Sequence, residues 1–113
     1  LNKFYLTLKN LSKSDQVIEF YVNKNIFENS KYFKQDRKII LNQSFFHNPE
    51  EIIFRSITQV IQRISRKKNY PRGKKVLGLI DSLRFSNKNV KLTLSGCIVE
   101  KIADSVIIYP ENR

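Results

Sequence analysis

The chain has 113 residues, and 21 Lys and Arg stand against 10 Asp and Glu, a formal net charge of +11. That length predicts one domain with a modest core, and a 41% hydrophobic content argues against intrinsic disorder. A single cysteine excludes an internal disulfide and predicts a reducing cytoplasmic setting; no apolar run reaches the ~20 residues of a membrane helix, and the cationic surplus predicts a polyanionic partner, nucleic acid ahead of an anionic membrane.

The opening LNKFYLTLKN interleaves polar and apolar residues, unlike a signal peptide. The chain lacks methionine and starts at Leu1, so it is expected to be a piece of a longer protein. Over residues 3–29, Phe4, Leu8, Leu11, Ile18, Val22 and Ile26 recur at spacings of three, four or seven and predict one long helix; Ser12 offers an alternative cap that would split it into a pair. Ile39, Ile40 and Leu41 predict a short extended piece.

The strongest helix start lies at HNPEEIIFRSITQVIQRISRKK. Asn48 is the expected N-cap, Pro49 the first helical residue, and Glu51 the partner in a capping box. Ile53, Ile57, Val60, Ile61 and Ile64 form an apolar stripe, and Arg66, Lys67 and Lys68 close the helix where its dipole favours cations. Pro71 and Gly73 mark a break. KKVLGLIDSLRF predicts another helix with Val76, Ile80 and Leu83 on one face, and Gly78 inside it predicts a close packing contact. After the polar loop SNKN, Val90, Leu92 and Leu94 alternate as on a half-buried strand, Gly96 marks a turn, and CIVEKI and VIIYP flank a short connection. The expected architecture is α+β: N-terminal helices followed by a small C-terminal antiparallel sheet or hairpin. Within the single domain, a long helix or helix pair is expected over 1–34, an extended piece plus two helices over 35–85, and β-strands over 90–109.

Little in the chain carries catalysis. Cys97 is read as a packing residue at a strand start, since no sequence rule brings the only histidine, His47, to it as an activating base. One cysteine and one histidine fall short of a dedicated zinc site. Gly73, Gly78 and Gly96 are too scattered to cradle a phosphate, and Asp81, Glu100 and Asp104 have the spacing of surface residues. VLGLIDSLRF resembles the LAGLIDADG motif of homing endonucleases. Leu83 stands where that family's metal-binding acid would fall, however, and Arg84 where its closing glycine would, so nuclease activity is rejected.

The functional signal is electrostatic. RISRKKNYPRGKK carries Arg63, Arg66, Lys67, Lys68, Arg72, Lys74 and Lys75 with no acid. Residues 1–54 hold eight basic and six acidic residues, whereas 55–113 hold thirteen and four. Such cations contact phosphates without fixing sequence, and Tyr70 offers a ring for an unpaired base. The competing reading is a solvated turn whose cations answer the helix dipole.

NYPRGKKVLGLIDSLRF followed by KLTLSGCIVEKIADSVIIYPE resembles the region after the catalytic domain in bacterial tRNA(Ile)-lysidine synthetases, particularly the alphaproteobacterial form. The matching positions are Tyr70, Pro71, Arg72, Thr93, Leu94, Gly96, Cys97 and Glu111; the departures are a single proline in the turn and Ser95 in place of a glycine. The likeness covers roughly residues 35–113. It implies a complete enzyme that joins lysine to the wobble cytidine of a tRNA(Ile) anticodon with ATP and Mg2+. It also implies that this piece, which has no Ser-Gly-Gly-x-Asp-Ser loop and no cofactor of its own, is the non-catalytic tRNA-recognition portion beside an N-terminal catalytic domain. The alternatives are a module that packs on the catalytic domain without touching RNA, and an unrelated basic protein-interaction domain.

Overall fold

The computed structural model describes residues 14–66, 71–85 and 88–111. Their order is α1 (Ser14–Asn29), β1 (Ser30–Phe33), β2 (Lys38–Leu41), a 3-10 turn (Gln43–Phe46), α2 (Glu50–Ser65), α3 (Gly73–Phe85), β3 (Val90–Leu94), β4 (Cys97–Ile102) and β5 (Ser105–Pro110). The strands form one sheet in the order β1-β2-β5-β4-β3, with every neighbouring pair antiparallel. The α+β class and the C-terminal strands are as the sequence predicts. The sheet is larger than expected because a second hairpin, β1–β2, enters it from between α1 and α2.

Period-two alternation decides which sheet face is buried. Ile39 lies opposite Ile108, Ile108 opposite Val99, and Val99 opposite Leu92, one apolar row across β2, β5, β4 and β3. Leu41, Val106, Cys97 and Leu94 extend the same face, and all four are buried. The α2 stripe of Ile53, Ile57, Val60, Ile61 and Ile64 and the α3 residues Val76, Ile80 and Leu83 are buried in the same core. Each isoleucine removed from water in this way contributes roughly 1.5–3 kcal/mol. In α1 only part of the predicted face can be followed: Val22 is fully buried and Ile26 packs against the core. Phe4, Leu8, Leu11 and the Ser12 cap lie outside the described residues.

Three local expectations are corrected. Asn48 does not cap α2: Pro49, with ψ 148°, occupies the cap position with no side-chain bond. The Asn48 amide instead donates to Asn25 Oδ1 at 3.0 Å, and Glu51 pairs with Arg55 at 2.9 Å in place of a capping box. The pull on Asn48 is long-range, from a buried amide that needs donors. Gly78 has nothing within 4 Å of the place where a Cβ would stand, so its helix cost of about 1 kcal/mol is not offset by packing there. The segment 1–34 does not end as helix, because Ser30–Phe33 leaves α1 to pair with Lys38–Leu41.

The β3–β4 connection is the two-residue turn Ser95-Gly96, with φ 51° and 81°. Two successive positive φ values are the signature of a type I′ hairpin turn, whose twist matches that of the strands. Among the described residues no helix is long and apolar enough to cross a membrane.

Candidate nucleic-acid interface

Of the residues proposed from charge, Lys67, Lys68 and Tyr70 lie outside the described residues. Arg63, Arg66, Arg72, Lys74 and Lys75 are described, and all five are exposed. Arg66 ends α2 in the left-handed conformation, φ 58°, with its N–H donating to the Gln62 carbonyl at 2.8 Å. Arg72 precedes α3, and its carbonyl accepts from Val76 N–H at 3.1 Å. Lys74 and Lys75 follow on the first turn of α3.

The fold sets Arg63 and Lys75 against different strands. Arg63 reaches toward β1, its guanidinium 4.6 Å from the centre of the Tyr32 ring. Lys75 lines a groove against Leu92, Thr93 and Leu94 of β3. Since β1 and β3 are the two edges of the sheet, four strand spacings, roughly 19 Å, separate the two sites.

Two further cations serve the fold. Arg37, at φ 50° in the β1–β2 turn, donates from Nη2 to the Ile64 carbonyl at 2.8 Å, and Lys101 donates to the Leu83 carbonyl at 2.8 Å. Each satisfies a carbonyl in the last turn of a helix, where a positive charge is favoured. Arg37 borders the α2 C-terminus although it is 27 residues away in sequence; no local pattern announces such a contact.

On the β1 side a hollow of about 380 Å3 opens between α1, β1 and α2. Phe27, Tyr32, Arg63, Asn23 and Gln59 form its walls, with buried Ile39 and Val60 below. Among the described residues no carboxylate lines it. Glu28, next to Phe27, lines a different hollow with Asn29, Lys31 and Asn42. The charge pattern could not reveal this hollow, because its aromatic residues belong to a helix end and a strand that the sequence does not separate.

Cys97 is fully buried at the first position of β4, and its Sγ lies 3.4 Å from the Ile61 carbonyl. His47 is exposed and lines a hollow with Phe85, Lys101 and Asp104. Cys97 and Lys101 are four residues apart on one strand, about 13 Å, so the thiol and the imidazole occupy different ends of β4. Glu100 accepts a hydrogen bond from the Tyr109 hydroxyl across the β4–β5 pair.

No protein-family profile matches the chain, and no solved structure matches it. Among curated proteins, it is 31% identical over 68 residues to the tRNA(Ile)-lysidine synthase of Wolbachia pipientis wMel. It is 32% identical over 68 residues to that of the Wolbachia of Brugia malayi. The aligned stretch is 60% of this chain and 16% of each relative, so the chain matches only a small part of their length. Over that stretch the chain is similar to tRNA(Ile)-lysidine synthases.

Proposed function

We propose that this chain is the C-terminal, non-catalytic tRNA-recognition portion of a tRNA(Ile)-lysidine synthase. The similarity to the two Wolbachia proteins carries the reading. The net charge of +11 and the exposed cations on α2 and α3 support it, since phosphate contacts are the general source of affinity for RNA. The longer protein would act in the cytoplasm, binding ATP and Mg2+ in a catalytic domain N-terminal to this piece and attaching lysine to the wobble cytidine of tRNA(Ile).

The chain should bind tRNA with an affinity that falls steeply as salt is added, because each phosphate contact releases counterions. Reversing the charge of Lys67, Lys68, Arg72, Lys74 and Lys75 should weaken binding and flatten the salt dependence. Binding by filter retention that is unchanged in the reversed variant would remove the basic turn from the contact. Reading the coding sequence upstream tests the family assignment: a Ser-Gly-Gly-x-Asp-Ser loop is expected there, and its absence from an extended frame would sink the assignment.

A second reading has its own observation. Phe20 and Tyr21 are exposed on α1 with their rings in contact, 5.4 Å between centres, and Phe27 on the same helix is exposed as well; such apolar surface would favour a module that packs on another domain. That module would show no affinity for tRNA in isolation, while its deletion from the longer protein would lower stability or activity.

A further inference from the structure

We propose that the hollow between α1, β1 and α2 is a slot for one unpaired RNA base, stacked among Phe27, Tyr32 and Arg63. The inference rests on the RNA-recognition reading above and gives it a second contact, away from the basic turn.

Four observations carry it. Phe27 is 87% exposed at the rim, a large ring held in water. Tyr32 is itself exposed, and the Arg63 guanidinium already lies 4.6 Å from its ring centre. A planar cation over an aromatic face is a surface on which a base can extend the stack. The Asn23 and Gln59 side chains, both exposed, place amides at the walls; each amide offers both donor and acceptor atoms to a base edge. The volume of about 380 Å3 falls within the usual range of small-ligand pockets.

Charge and shape favour RNA over a peptide or a lipid. Among the described residues a cation and no carboxylate lines the hollow, which suits a chain bearing phosphates on either side of the inserted base. The apolar floor of Ile39 and Val60 is narrow and bounded by polar walls, unlike the broad apolar face that membrane insertion requires. An unpaired base is the part of RNA whose flat faces are free for such contacts.

The test compares a short unstructured oligoribonucleotide with an RNA duplex of equal phosphate number, both titrated into the 113-residue chain at low salt. Phe27→Ala, Tyr32→Leu and Arg63→Lys should each lower affinity for the single strand about 5- to 150-fold, the range for loss of one stacked base. They should lose far less on the duplex. Tyr32→Phe should retain single-strand affinity, since it keeps the ring. Phe27 is exposed, so its truncation does not threaten folding. If both RNAs bind but the variants leave single-strand affinity intact, or lower both RNAs equally, the slot is overturned while the RNA reading stands. If neither RNA binds, the RNA reading falls and takes the slot with it. Equal capture of an unrelated apolar peptide by the hollow, lost in the same variants, would likewise overturn a nucleobase site.

Discussion

Asn25 shows how much one residue holds together. It is 3% exposed, yet its amide donates to the Phe45 carbonyl and to Ser56 Oγ, each at 3.2 Å. Its Oδ1 accepts from Asn29 at 2.8 Å and from Asn48 at 3.0 Å. Two donors and two lone pairs are all the bonds an asparagine amide can make, and here they join α1, the 3-10 turn and α2. Asn25→Ala would remove the donor to the buried Ser56 hydroxyl and the acceptor of the Asn29 and Asn48 amides, while the Phe45 carbonyl keeps Asn48, and should destabilise the chain by about 1–3 kcal/mol. Urea denaturation followed by circular dichroism would measure it; a change below about 0.5 kcal/mol would show that water replaces the network. Asn25 lies one position from Ile26 on the predicted apolar face, but sequence spacing alone marks it as an ordinary helix polar residue. Its importance comes from partners 20 to 31 residues away.

At the scale of elements, the β3–β4 hairpin explains a departure that the sequence comparison left bare. Ser95 stands where the family it resembles has glycine, and it occupies φ 51° beside Gly96 at φ 81°. A type I′ turn needs positive φ at both central residues, and a side chain there costs roughly 1–2 kcal/mol. Ser95→Gly should therefore raise stability, by about 1 kcal/mol after the entropy of a freer unfolded chain is set against it. A thermal melt showing no gain would mean that the serine hydroxyl compensates for the backbone. The helices divide differently. α2 was legible because its stripe repeats at helical spacing from Ile53 to Ile64 and every member of it is buried. β1 was not, because four residues with the burial pattern of a half-exposed edge carry too little alternation to be seen without the β2 partner.

At the scale of the whole molecule, the sheet order separates cations that the sequence runs together. Arg63 and Lys75 are twelve positions apart, yet they face opposite edges of the sheet. The separation of roughly 19 Å exceeds the screening length of about 8–10 Å at physiological salt. Arg63→Glu and Lys75→Glu should then act independently on tRNA affinity, the double variant losing the sum of the two single losses within about 0.5 kcal/mol. A double loss well short of the sum would show that both side chains serve one contact. The two edges therefore carry different features: an aromatic hollow with Arg63 at β1 and a lysine-bordered groove at β3.

The sequence by itself determined the class of fold, the α2 and α3 core faces, the C-terminal hairpins and the burial of Cys97, because each follows from periodicity or residue type within a few positions. It also established the charge surplus and the likeness to lysidine synthases, which are properties of composition and order. Only the tertiary structure decided that β1 and β2 join the C-terminal strands in one sheet, that Asn48 answers Asn25 instead of capping α2, and that Arg37 closes that helix. It alone set Phe27, Tyr32 and Arg63 around one hollow. Those outcomes depend on groups brought together from distant parts of the chain, where a buried polar atom or a strand edge takes whichever partner the packing provides.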